Sequence, residues 1–114
     1  LGLDLINRMK RDGLDAIPDG IITASDALAS GVISAFHEHE GPRIPEDICV
    51  IGTEGTRLDS NCPMPLTVVS APSVDMGRKA MTQMLDYVDN PATHVHSTTL
   101  IEPTLIRRAS TRAE

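Results

Sequence analysis

The chain has 114 residues, 40% of them apolar, which suits one small globular domain able to bury about two-thirds of its unfolded surface. Ten basic against sixteen acidic residues give a net charge of −6, and Phe36 and Tyr87 are the only aromatic residues. That charge has the wrong sign for neutralising phosphates and two rings are too few for base stacking, so direct nucleic-acid binding by this chain is excluded, as is a membrane span, for want of a long apolar run.

In chain order, the first predicted element is a helix: Leu5, Ile6 and Met9 recur at helical spacing, and Gly13 offers a left-handed stop. The chain opens already in helical register, with neither Met nor leader, and so reads as a soluble, cytoplasmic piece of something longer. After a turn at Pro18-Asp19-Gly20, "GIITA" (Gly20 to Ala24) is short, β-branched and apolar on both faces, which predicts a strand covered on both sides in a parallel sheet. In "SDALASGVISAFHEHEG", Ser25 can cap a helix, Asp26 occupies its first turn, and Leu28, Val32, Ala35 and Phe36 recur at helical spacing until Gly41 ends it. Pro42 and Pro45 stop that helix and launch the second strand, "ICVIG", Ile48 to Gly52.

The order strand, helix, strand predicts a parallel crossover of right-handed sense. Thr53 and Glu54 then stand at the carboxyl end of the second strand, and Ser25 and Asp26 at that of the first. Two acids thus converge on the edge where open α/β sheets take ligands.

Beyond a loop of turn formers, "LTVVSA" predicts a third strand. "SVDMGRKAMTQMLDYVDN" predicts a helix capped by Ser73, with Val74, Gly77, Met81, Met84, Leu85 and Val88 on one stripe, and Asn90-Pro91 ends it. "HSTTLIEPTLIRRAST" reads as an extended edge strand interrupted at Pro103, and "TRAE" as a disordered tail.

His37 and His39 lie two apart on a helix and face away from each other, so with Glu38 and Glu40 they lack the spacing of a shared metal site. A disulfide between Cys49 and Cys62 is formally open, but two thiols without a framework point to a reducing compartment. Cys49 reads as a small core residue. No cofactor and no catalytic group are expected.

"PDGIITASDALASGVISAFHEHEGPRIPEDICVIGTEGT", with "PMPLTVVSAPSVDMGRKAMTQML" and "TLIEPTLIRRAST", resembles the end of the effector-binding core of LacI/GalR-type transcriptional regulators, whose fold is similar to the periplasmic sugar-binding proteins. The resemblance runs from about Pro18 to Thr111. It implies a parallel-sheet α/β fold of the periplasmic-binding-protein type, of which this chain is a carboxyl-terminal fragment with pieces of both lobes. Residues up to about 70 would belong to the carboxyl-terminal lobe, and the helix and strand within about 73–111 to the other. The partners implied are a small-molecule effector, a second copy in a homodimer, and operator DNA only through an amino-terminal helix-turn-helix that is not in this chain. A solute-binding protein or a sugar-processing α/β enzyme of the same fold is the alternative.

Where that family usually shows Asn-Asp, this chain has Ser25-Asp26; where it shows an aromatic and two Asp, this chain has Thr53, Glu54 and Gly55. The carboxylate is kept but moved out by one methylene. A carboxylate accepting two hydrogen bonds from a hydroxyl-rich ligand is the family's usual arrangement, which makes Glu54 the foremost ligand contact, with Asp26, Ser25 and Thr53 beside it. Plainer roles stay open: Asp26 facing the helix dipole, Ser25 only capping, Glu54 a solvated turn acid. Small residues on the Asp26 to Glu40 helix, Ala27, Ala29, Ser30, Gly31, Ser34 and Ala35, permit close approach of another backbone. The resemblance puts that helix at or near a dimer interface through Ala27, Ser30, Gly31 and Ser34; tight packing on its own sheet is equally compatible with the sequence.

Overall fold

The structure, a computed structural model, describes residues 2–55 and 62–112. The chain divides into two compact units, Leu1–Ser70 with Leu105–Glu114, and Ala71–Thr104.

The first unit opens with α1 (Gly2–Asp12), which buries Leu5 and Ile6. Gly13 ends it at φ 87° and ψ 175°, a region open essentially only to glycine and distinct from the expected left-handed helical stop. A 3-10 turn, Leu14–Ala16, leads to β1 (Gly20–Ile22), α2 (Asp26–Glu38), β2 (Cys49–Gly52) and β3 (Thr67–Ser70). β1 pairs β2 in parallel with Gly20 opposite Cys49, and β2 pairs β3 in parallel with Ile51 opposite Thr67. With β4 (Thr104–Ile106) the sheet has four strands in the order β1-β2-β3-β4. The strand–helix–strand crossover expected from the sequence is therefore present, with β2 between two parallel neighbours.

α2 carries the core. Val32 and Phe36, one turn apart, meet Leu5 and Ile6 of α1 and Ile48. Ala29 and Ile33, also one turn apart, meet Val50, Leu66 and Val68. Burying each of the larger side chains contributes about 1.5–3 kcal/mol. Leu28, expected on the buried stripe, is 57% exposed: Ala29 and Ile33 fill the row facing the sheet, which turns Leu28 outward.

Three further expectations are refined or corrected. Of the cover expected on both faces of β1, one face has it: Ile21 packs against the Leu5, Ile6, Val32, Phe36 and Ile48 cluster, whereas Ile22 is 73% exposed. The end of α2 expected at Gly41 is made through two residues: Glu40 takes the left-handed conformation, φ 52°, and the N–H of Gly41 bonds the carbonyl of Phe36 at 2.9 Å, closing a Schellman motif. Gly41 is needed for a different reason, because a Cβ there would lie 2.8 Å from the Phe36 Cα. Thr111 and Arg112 are anchored rather than disordered: the Thr111 hydroxyl bonds Thr67 Oγ1 at 2.8 Å, and the Arg112 guanidinium donates to the carbonyls of Pro45 and Glu46 at 3.0 and 2.7 Å.

The segment after β4 groups with the first unit. Ser110 explains the placement. It is fully buried; its N–H donates to Pro65 O and its carbonyl accepts from Val50 N. Its hydroxyl donates to Val50 O at 2.6 Å and accepts from Thr67 N at 2.8 Å. Arg108 adds a bond to Leu66 O at 2.8 Å.

The second unit is α3 (Ser73–Asp89) and the irregular segment after it. Pro72, not Ser73, occupies the cap position, with no side-chain cap bond; the Ser73 hydroxyl turns back to Ala71 O at 3.5 Å. Asn90 closes the helix as expected, its N–H bonding Asp86 O. Gln83 Nε2 donates to Ser97 Oγ and Thr99 Oγ1 at 3.2 and 3.1 Å, and Asp86 pairs with His94 Nδ1 at 2.6 Å, which holds its carboxyl below the ordinary range. The predicted stripe is helical, but Val74, Met81, Met84, Leu85 and Val88 are all exposed. The extended strand expected across Pro103 shrinks to β4, and Ser97 and Thr99 before it take side-chain bonds from Gln83 of α3.

Candidate functional site

The carboxyl ends of β1 and β2 lie side by side because the two strands are parallel and in register. The ladder continues one step past β1, where Thr23 N–H donates to Ile51 O at 2.9 Å. The Thr53 hydroxyl closes the other side, donating to Thr23 O at 2.9 Å. From there Ser25, extended at φ −155° and ψ 158°, starts α2 and accepts the Leu28 N–H on its hydroxyl at 3.2 Å. The predicted cap is therefore made.

Asp26, the first residue of α2, is 2% exposed. Its Oδ1 accepts the Glu54 N–H at 3.2 Å, and its own N–H faces Glu54 Oε2 at 3.4 Å. Asp26 and Glu54 are thus brought together, in different environments: Asp26 is buried beside the helix N-terminus, where negative charge is favoured, and Glu54 is exposed. Ser25 and Thr53 are half-buried between them in exposure.

The chemistry available follows from which protons are committed. Among the described residues the Glu54 carboxylate takes one long bond, from Asp26 N–H, which leaves acceptor capacity for ligand hydroxyls. Ser25 uses its oxygen in the cap and keeps its O–H as a donor. Thr53 commits its proton to Thr23 and retains acceptor lone pairs.

Two participants escaped the sequence reading. A Cβ at Gly52 would collide with Asp26 Oδ1 and lie 3.0 Å from Leu66 Cδ2, so only glycine lets the Asp26 carboxylate sit over the end of β2. A glycine closing an apolar strand was the available signal. Thr23 is buried and bridges both loops; nothing in its sequence setting set it apart from an ordinary strand residue.

Of the small residues on α2, Ala29 is fully buried and Ala35 packs against Gly2, whereas Ala27 and Gly31 are exposed and Ser30 and Ser34 half-buried. Open space surrounds the position a Gly31 Cβ would take. Cys49 and Cys62 are free thiols, so the formally open disulfide is not formed. A pocket of about 250 Å³, lined by Phe36, His37, Pro42, Ile44 and Met64 among others, shares no residue with the acid-bearing edge.

A parallel crossover with acids gathered at its carboxyl edge defines an open α/β unit of the kind that takes ligands there. The profile of the periplasmic binding protein-like domain matches residues 2–111. The HTH-type transcriptional repressor CytR of Escherichia coli (strain K12) is 36% identical over 97 residues, covering 84% of this chain and 28% of the relative. Among solved structures, a LacI family transcriptional regulator from Arthrobacter sp. FB24 in complex with lactose is similar at TM-score 0.77 and 25% identity, over 97% of this chain and 40% of that one. The lac repressor dimer bound to operator and the anti-inducer ONPF is similar at TM-score 0.76 and 25% identity, over 98% of this chain and 37% of that one. The chain belongs to the periplasmic binding protein-like domain family, in its LacI/GalR-type form. It spans 28% of the length of the CytR relative. No described helix is long and apolar enough to cross a membrane.

Proposed function

We propose that this chain is part of the effector-sensing domain of a LacI-type transcriptional regulator and binds a small hydroxyl-rich molecule at the edge formed by β1, β2 and α2. Binding shifts the balance between closed and open forms of the intact dimer and so its operator affinity. The observation that carries the reading is the pairing of an exposed Glu54 carboxylate with a buried Asp26 that fixes its backbone. Glu54 accepts from ligand hydroxyls, Ser25 donates, Thr53 accepts, and Asp26 holds the other three in place. Similarity to a regulator complexed with lactose supports a sugar-like effector.

In this reading residues up to about 70 belong to the carboxyl-terminal lobe, and the helix and strand within about 73–111 to the other. Operator contacts come from an amino-terminal helix-turn-helix outside this chain, and the protein works in the cytoplasm as a sensor and not as an enzyme. Ala27, Ser30, Gly31 and Ser34 face a second copy. The lac repressor dimer on its operator is a similar structure that supports this assembly.

The test is operator binding by the intact regulator, followed by fluorescence anisotropy with D-glucose, D-ribose and lactose in turn. The expected result is that at least one sugar shifts operator affinity, and that Glu54→Ala moves the shift to about ten- to a hundredfold higher sugar while sugar-free operator binding is unchanged. A sugar response untouched by Glu54→Ala would remove the reading.

A further inference from the structure

We propose that Thr23 is a positioning residue for the effector site: its buried hydroxyl ties the first carbonyl of α2 to the end of β2 and so sets where the Glu54 carboxylate stands. The inference rests on Glu54 being the effector acid. Thr23 is 5% exposed although the residue before it, Ile22, is 73% exposed, so its side chain turns into the protein just where the strand ends. Its hydroxyl has one proton and two acceptors, Ser25 O at 2.7 Å and Ile51 O at 3.2 Å. The shorter bond dominates and the longer is the weaker branch of a shared donor. Ser25 O also takes the Ala29 N–H at 3.2 Å, so the threonine fills its second lone pair without weakening the helix.

The main chain of Thr23 completes the tie. Its N–H goes to Ile51 O and its carbonyl accepts the Thr53 hydroxyl. Every polar group of Thr23 is therefore committed to the residues that bracket the site, Ser25 on one side and Ile51 of β2 with Thr53 after it on the other. Moving the start of α2 relative to β2 displaces Asp26, whose Oδ1 and N–H both meet Glu54. The Thr23 main-chain carbonyl holds the Thr53 hydroxyl, while its own hydroxyl meets Ser25 O and Ile51 O and acts on Glu54 through this corner.

The test compares Thr23→Val, which keeps the shape and removes the hydroxyl, with Thr23→Ser, which keeps the hydroxyl, in the intact regulator. Amide hydrogen exchange is read by mass spectrometry on peptides carrying Asp26, Glu54 and Val50. The expected result is exchange roughly two- to tenfold faster at Asp26 and Glu54 in Thr23→Val, no change at Val50, and recovery in Thr23→Ser. The affinity for whichever of D-glucose, D-ribose and lactose binds should fall by a similar factor and recover likewise. If Thr23→Val does not fold, Thr23→Ala serves in the same comparison. Unchanged exchange at Asp26 and Glu54, or equal acceleration at Val50, would overturn the proposal. Failure of Glu54→Ala to alter sugar affinity would instead strike the site itself and leave the exchange result standing.

Discussion

The Glu54 N–H donates to Asp26 Oδ1 at 3.2 Å while Glu54 Oε2 stands 3.4 Å from the Asp26 N–H, so each residue's carboxylate answers the other's main chain. The reciprocity is that of a capping box, but it joins two loops whose residues lie 28 apart in sequence. It couples the entry of α2 to the exit of β2, which is how a buried acid can aim an exposed one.

Gly52→Ala should break this arrangement. The added Cβ meets the Asp26 carboxylate and Leu66, and overpacking at such a point costs about 1–3 kcal/mol. Urea denaturation of the intact protein should show a lower midpoint at unchanged slope; an unchanged midpoint would mean that Asp26 can stand elsewhere at no cost.

Ser110→Ala should destabilise the first unit by about 1–3 kcal/mol, because the buried Thr67 N–H loses its acceptor. The same denaturation experiment reads it. Stability equal to that of the unsubstituted protein would show that the return segment is held by its main chain alone.

Acid should loosen the turn before β2. Asp47 is lowered from 3.8 to about 2, first by the side-chain bond from Arg43 and then by the Arg43 N–H. A carboxyl with a depressed folded pKa stabilises above its unfolded value and loses that contribution as pH falls through the folded one. The stabilisation is therefore complete above about pH 4 and disappears toward pH 2. A carbon-detected titration of Asp47 should give the low midpoint, and Arg43→Ala should raise it; a midpoint near 3.8 in the unsubstituted protein would refute the contact.

How far the sequence carries the fold can be judged residue by residue. β1, α2 and β2 were legible because short β-branched runs and a helical stripe are local signals, and Glu54 and Asp26 because the crossover fixes which strand ends are neighbours. Leu28 was misplaced because a helix stripe wide enough to hold both Leu28 and Ala29 does not say which row meets the sheet. Gly52 and Thr23 were missed since their roles lie in close approach between loops. The Glu40 turn and the Ser110 anchor are likewise tertiary: nothing local to "RRAST" foretells that its serine will be buried between β2 and β3.

If Ala27, Ser30, Gly31 and Ser34 face a second copy, as proposed, Ser30→Arg should dissociate the intact protein. Ser30 is half-buried beside the exposed Ala27 and Gly31, and an arginine there would bring an unpaired charge into an interface core at a cost of several kcal/mol. Sedimentation velocity should show a smaller species for Ser30→Arg than for the unsubstituted protein at the same concentration; equal sedimentation would remove the proposed interface.

The central claim is that the Glu54 carboxylate holds the effector, and isothermal calorimetry of the intact regulator with a sugar that shifts its operator binding tests it most directly. Glu54→Ala should weaken that sugar by about 1.5–3 kcal/mol, the loss of a charge-assisted hydrogen bond, with Glu54→Asp intermediate because it keeps the charge and draws it back by a methylene. An affinity for Glu54→Ala equal to that of the unsubstituted protein would contradict the account.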